Sequence, residues 1–334
     1  MTSTPLAPTA ASRAAADAAW WRTPSATLSS VIVLLLAVAV FANTFGHGFV
    51  WDDTILLDQK VRFYRSWLDA WREPAGLPNM RMYRPLEMMS LWIDSRLWST
   101  STGYHVTQVL LHAVNGVLVL LLARGLGAFP WAALAAASLF VVHPVQVESV
   151  AWLTCRADVL TATFATAAML VFLRHQRGPV WWTVPAIVVA AFLSTASKET
   201  GSVTPVLLLV AALVVPEPPA APAIRLRRAA PALVAALVGV VLCQLLRPAD
   251  VTTGVGRAPF TSTDLLNLTG AFSYQLARVL APLDFAPFVP KTPTDPAHLL
   301  LAAAGGAALL AAFVLAPARD GGRLRLGIAW FLIA

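Results

Sequence analysis

Apolar runs of near-spanning length, each closed by a short polar stretch, recur at 28–45, 103–123, 129–142, 158–173, 180–197, 202–215, 230–246 and 298–316. A ninth begins near 325. About 20 apolar residues, rising about 1.5 Å each, cross the hydrocarbon of a bilayer. The pattern therefore predicts an all-α polytopic transmembrane bundle of about nine spans, the last of them cut off by the end of the chain. Because Ala334 falls inside that last run, the chain is expected to be a fragment whose missing part holds further spans.

The stretches between the runs are uneven. Residues 1–27, rich in Ala, Ser, Thr and Pro, read as a disordered cytoplasmic tail, which leaves 28–334 as one membrane-embedded domain. Segments 46–102 and 247–297 are too long to be plain connections. Within the first, Phe63, Trp67, Leu68 and Trp71 recur at helical spacing and predict a short amphipathic helix over 61–71. The stretch 86–98, interrupted by Asp94 and Arg96, reads as interfacial or re-entrant, and 264–281 as a further interfacial helix. Pro216 to Pro222 form a stiff linker.

Composition agrees with this class: 58% of the 334 residues are hydrophobic, 12% are charged, and the mean hydropathy is +0.69. The net charge of +7 does not point to nucleic acid, because the basic residues form small groups and no continuous basic face. Arg13, Arg22, Arg124, Arg174, Arg177, Arg225, Arg227, Arg228, Arg319, Arg323 and Arg325 all fall at alternate ends of the runs. The positive-inside rule then sets the N-terminus in the cytoplasm and gathers 46–102, 143–158, 197–201 and 247–297 on the outer side. Ala37-Val-Ala39 imitates a signal-peptide cleavage site, but the apolar run continues past it. Two cysteines, Cys155 and Cys243, give neither a disulfide framework nor a metal-finger spacing.

Ionisable groups are costly in hydrocarbon, so their gathering at the ends of spans is informative. The outer segments hold Asp52 and Asp53, then Arg84 between Tyr83 and Pro85, then His105 and His112, which are seven residues apart on one helical face. They continue with His143, Glu148, Arg156 and Asp158 and end with Lys198 and Glu199. Each has a plainer reading: a solvated turn for the Asp pair, a snorkelling anchor for Arg84, packing for the histidines, mutual pairing for Arg156 with Asp158 and for Lys198 with Glu199. Together they supply an acidic pair able to take a proton or hold a divalent cation, and basic groups suited to a phosphate. Such a set meets the needs of group transfer from a lipid phosphate to a hydroxyl. A transporter or flippase remains the alternative. Against it, the charges lie at span ends and no internal repeat is visible.

The segments Phe49-Val-Trp-Asp-Asp53, Tyr83-Arg-Pro85, Tyr104-His-Val-Thr-Gln-Val-Leu-Leu-His112, 143–160, Ser197-Lys-Glu-Thr200 and Leu280-Ala-Pro-Leu-Asp284 stand in an order that resembles one family. It is that of the multi-spanning O-mannosyltransferases carrying tetratricopeptide repeats, with their bacterial relatives, and the resemblance covers about 28–334. It implies the membrane-embedded glycosyltransferase C fold, a bacterial inner-membrane location, and an active site on the outer face. It further implies a polyprenyl or dolichyl phosphate-linked sugar as donor, a hexose such as mannose, and a protein Ser or Thr as acceptor. Carried over, Asp52 or Asp53 is the catalytic acid-base residue, while Arg84, Arg156 and Lys198 are candidates for the lipid phosphate. His143 and Glu148 shape the sugar or acceptor pocket, with His105, Asp158 and Glu199 as further substrate-binding candidates. Trp51, Gln108 and Gln146 depart from the Tyr, Asn and His usual in the family, and no repeats follow.

Overall fold

The computed structural model of the chain describes residues 24–73, 75, 82–178, 180–215, 221–248, 251, 261–280, 296–315 and 321–333. The tail up to residue 23 with Arg13 and Arg22, most of the 216–222 linker, Arg319, positions 281–284 of the last family segment and the chain end lie outside them. Among the described residues the chain is helical, and its extended pairing is a single antiparallel bridge between Ala75 and Met82.

Twelve principal helices follow one another: α1 (Pro24–Phe41), α2 (Pro85–Leu97), α3 (Ser101–Gly125), α4 (Pro130–Val142), α5 (Gln146–Ala151), α6 (Arg156–Arg177), α7 (Thr183–Ser197), α8 (Thr204–Val214), α9 (Pro222–Leu245), α10 (Ser262–Leu280), α11 (Pro296–Leu315) and α12 (Gly321–Ile333). Every predicted apolar run forms a helix. Among the described residues five stretches are long and apolar enough to cross a membrane: Ala26–Gly46, Ser101–Gly125, Leu153–Arg177, Ala223–Leu245 and Pro296–Leu315. The other apolar helices are shorter. Proline is one reason: α4 starts on Pro130 and stops at His143, whose successor Pro144 disfavours a helical residue before it.

The bundle is packed through small residues, as expected where lipid removes most of the hydrophobic drive between helices. A side chain at Gly116 of α3 would meet Val141 of α4 at 2.3 Å and Val33 of α1 at 2.7 Å, so these three helices close upon one another there. At Gly239 of α9 an added Cβ would lie 2.3 Å from the Val188 carbonyl of α7. Around that crossing Ala191, Ala229, Ala232, Ala235 and Ala236 are buried with Ile187, Leu207 and Leu208. Several polar groups in the spans are paired across helices: Asn115 donates to the Val159 carbonyl at 2.8 Å, Thr163 donates to Asn115 at 2.7 Å, and His112 meets the Val141 carbonyl at 3.2 Å. Leucines facing outwards, such as Leu28, Leu35, Leu139, Leu245 and Leu310, form an apolar exterior suited to lipid tails.

One end of the bundle is marked by arginines. Arg177 closing α6 reaches the Gly125 carbonyl at the end of α3, and Arg225 opening α9 donates to the Val215 carbonyl beyond α8 at 2.6 Å. The opposite end carries the polar segments. There the 61–71 stretch departs from expectation: a single turn at Val61–Phe63 and another at Asp69–Arg72 replace a continuous amphipathic helix. Two of its aromatic groups are drawn into tertiary packing, with Trp71 stacked on Phe192 of α7 at 5.7 Å and Tyr64 buried, while Phe63 and Trp67 stay exposed. The 86–98 and 264–281 stretches do form helices, α2 and α10.

Candidate functional site

After α1 the chain turns sharply at Val50 to Asp53. The Asp53 amide donates to the Val50 carbonyl at 2.9 Å, and its carboxylate accepts from the Val50 amide at 3.2 Å and from the Thr154 amide at 2.9 Å. Trp51 takes φ 47°, a left-handed conformation that costs a non-glycine residue about 1–3 kcal/mol and persists only where its surroundings enforce it. Its ring lies edge-on to Trp152 at 5.2 Å. The turn is thus locked to the link between α5 and α6, Asp53 is buried, and Asp52 is left exposed beside it. Burial pushes the Asp53 carboxyl above its ordinary range, opposed by the backbone N–H groups it accepts.

Asp52 opens onto a cavity of about 270 Å³ whose wall includes Arg84, Glu87, Glu148, Asp158 and Lys198, together with Trp152, Thr154 and Cys155. Five separate segments therefore contribute to one space. Arg84 caps the start of α2 and donates through Nε to Glu199 at 3.1 Å. Lys198 is extended between α7 and the turn that follows, and its Nζ donates to Asp158 at 2.6 Å. Glu148 of α5 pairs with Arg278 of α10 at 3.3 Å. The pairings are long-range. Neither Arg156 with Asp158 nor Lys198 with Glu199 forms the neighbouring pair that the sequence left open.

The remaining predicted residues lie elsewhere. Arg156 is fully buried, ion-paired with Asp94 of α2 and donating to Gln108 at 2.8 Å and to the Tyr104 carbonyl at 3.0 Å. It stands outside the cavity lining and joins α2, α3 and α6. His143 bonds the Val279 carbonyl at 3.0 Å and accepts from the Val145 amide at 3.1 Å, which docks the end of α10 on the 143–148 turn. His105 is buried beside His47, ring centroids 6.1 Å apart, and also stands apart from the cavity. Asp52 is exposed on the cavity wall, while the Asp53 carboxylate is buried against the Val50 and Thr154 amides. Among the described residues no group of three or more His, Cys, Asp or Glu side chains could hold a metal ion.

Three residues that sequence reasoning passed over matter here. Asp94 had registered only as an interruption of an apolar stretch, yet it neutralises Arg156. Arg278, inside a predicted helix, neutralises Glu148. Glu87 lies one helical turn after Arg84, with Oε2 4.0 Å from its Nη1, and is 2% exposed. Its Oε1 is buried and has no hydrogen-bond partner. Burial pushes the Glu87 carboxyl up to about 8, against the pull of Arg84. The available signal was its i, i+3 spacing from Arg84 in an otherwise apolar run.

No family model matches the chain, and no solved structure matches it. Similar curated proteins do exist. Protein O-mannosyl-transferase Tmtc2 of Drosophila melanogaster is 33% identical over 181 residues, covering 49% of this chain and 19% of that protein. Tmtc1 of the same organism is 34% identical over 182 residues, 52% of this chain and 21% of the relative. TMTC3 of Mus musculus is 29% identical over 183 residues, 51% of this chain and 20% of the relative. The chain thus spans about a fifth of the length of these relatives. Over about half of its own residues, the chain is similar to protein O-mannosyl-transferases of the TMTC family.

Proposed function

We propose that this chain is the membrane part of a glycosyltransferase of the glycosyltransferase C type. In this reading it moves a hexose, mannose by analogy with the relatives' names, from a polyprenyl or dolichyl phosphate carrier to a protein Ser or Thr hydroxyl. The observation that carries the reading is the convergence of Asp52, Arg84 and Lys198, from three distant segments, on one cavity at the end of the bundle opposite Arg177 and Arg225. Lipid substrates reach such a site from the surrounding bilayer. By the positive-inside rule that end faces outwards, in a bacterial inner membrane with the N-terminus in the cytoplasm.

The chemistry assigns each group a task. Asp52, exposed on the cavity wall, takes the proton of the acceptor hydroxyl as its oxygen bonds to the sugar's anomeric carbon. The bond from that carbon to the phosphate oxygen breaks, and Arg84 and Lys198 balance the charge left on the lipid phosphate. Asp53 holds the turn that aims Asp52. Glu148, Asp158 and Glu199 keep their cations in position and offer acceptors to sugar hydroxyls, while Arg156 and His143 tie together the elements that form the walls.

The test is transfer of radiolabelled mannose from a polyprenyl phosphate donor to a Ser/Thr peptide, in membranes holding the full-length protein. Transfer that Asp52→Asn abolishes supports the assignment. Transfer unaffected by Asp52→Asn, or solute counterflow in its place, overturns it.

A further inference from the structure

The two cations of the cavity are not equally placed. Lys198 is committed to Asp158 by a 2.6 Å contact. Arg84 gives only its Nε edge to Glu199, and its Nη1 stands 4.0 Å from Glu87 Oε2, too far for a hydrogen bond. Between Arg84 and the bundle interior, Glu87 is 2% exposed, lies in the cavity wall, and leaves Oε1 unpartnered. A buried ionised carboxylate would not leave an oxygen bare beside a guanidinium; a small side-chain movement would close the gap and give a bidentate pair. The open geometry is one that an un-ionised acid tolerates and an ionised one does not favour.

We propose that Glu87 is a titratable positioning residue for the phosphate grip. Un-ionised, it leaves the Nη face of Arg84 to an anionic ligand; ionised, it draws that guanidinium to itself. This inference rests on the lipid-phosphate reading of the cavity and adds a regulation to it. The charged and titratable groups around Glu87 are Arg84 on its own helix, Asp158, Arg156 and the Cys155 thiol at the start of α6, and Lys198 after α7. Asp158 resists ionisation of Glu87, while Arg84, Lys198 and Arg156 favour it; burial outweighs them and brings the changeover to about pH 8. Phosphate binding should therefore be intact at neutral pH and decline above it.

The experiment measures binding of polyprenyl phosphate, carried in neutral detergent micelles, to the full chain between pH 6.5 and 9.5. Wild type is expected to lose about tenfold in affinity across that range. Glu87→Gln and Glu87→Met are both expected to bind at pH 9.5 as tightly as wild type does at pH 6.5. Wild type that binds equally at both ends of the range, or a Glu87→Gln protein that keeps the alkaline decline, overturns the proposal. Infrared spectra of wild type give a readout that needs no variant: a protonated-carboxyl band at pH 7 that fades by pH 9.5 is expected, and its absence at pH 7 is a second refutation. If wild type binds no polyprenyl phosphate at any pH while that band is present, the lipid-phosphate reading fails instead, and the regulation fails with it.

Discussion

Replacing Asp94 by Leu should damage the protein more than any change in the cavity, and replacing Arg156 as well should undo most of the damage. Arg156 is 0% and Asp94 2% exposed, so Asp94→Leu strands a guanidinium with only Gln108 and the Tyr104 carbonyl to face it. Breaking one side of a buried pair costs about 3–5 kcal/mol, and Arg156→Met should cost the same for the mirrored reason. The double variant removes both charges from the interior. What remains is the Gln108 side-chain oxygen and the Tyr104 carbonyl short of a donor, at about 1–3 kcal/mol in all, while Thr107 still donates to the Gly103 carbonyl. The singles thus sum to about 6–10 kcal/mol against about 1–3 for the pair, a coupling of at least ~3 kcal/mol. Loss of helicity on titration with dodecyl sulfate in mixed micelles, followed by circular dichroism, measures all three. A double variant as unstable as the sum of its parents would refute the reasoning. The same variant decides the role of Arg156: it should keep its affinity for polyprenyl phosphate within about threefold, since Arg156 stands outside the cavity. A tenfold loss would instead put the guanidinium on the ligand.

Four further outcomes are expected. Asp52→Asn should lower sugar transfer by about 10²–10⁴-fold while shifting stability by no more than about 0.5 kcal/mol, because the carboxylate is exposed. Asp53→Asn should behave in the opposite manner, costing about 1–3 kcal/mol in the dodecyl sulfate titration by disturbing the acceptor for the Val50 and Thr154 amides. Lys198→Met should weaken polyprenyl phosphate about ten- to hundredfold in an equilibrium binding assay, the range of one charge-assisted hydrogen bond. Glu87 titrates near 8 when folded against an ordinary 4.5, so the folded state holds the extra proton between those values. The contribution of Glu87 to stability is then greatest below pH 4.5 and is lost as pH rises through 8, by up to about 5 kcal/mol. Melting curves of Glu87→Gln should match wild type at pH 4.5 and lie higher at pH 8.5.

Runs such as 103–123 and 230–246 were legible because hydrophobic length is a local property, and each became one helix, α3 and α9. The amphipathic spacing over 61–71 misled because Trp71 and Tyr64 find partners on α7 and α2, through Phe192 and the Trp92 indole, and those contacts override local periodicity. Asp52, Arg84, Glu148, Asp158 and Lys198 were recognisable as polar groups at span ends, and the structure brings all five to one cavity. Their pairing was not recognisable. Arg84 meets Glu199, Lys198 meets Asp158, and Arg156 meets Asp94 across whole helices, so a reading by sequence neighbours finds the wrong partners. Glu87 went unseen for a related reason: its burial is a property of the fold around α2, while its sequence context is only an acid three places after an arginine.

The carboxylates that hold Arg84 and Lys198 have a consequence for what the cavity ignores. Glu199 and Asp158 act as resident counter-ions, so an incoming anion does not add to a bare positive site but exchanges with a tethered one. Chloride and other weakly coordinating anions gain little from such an exchange, whereas a phosphate offers several strong acceptor oxygens in return. On the proposed reading the site is in effect a selective ion exchanger whose own acids keep it closed to the ambient electrolyte. Its occupancy should therefore vary less with ionic strength than two exposed cations would suggest.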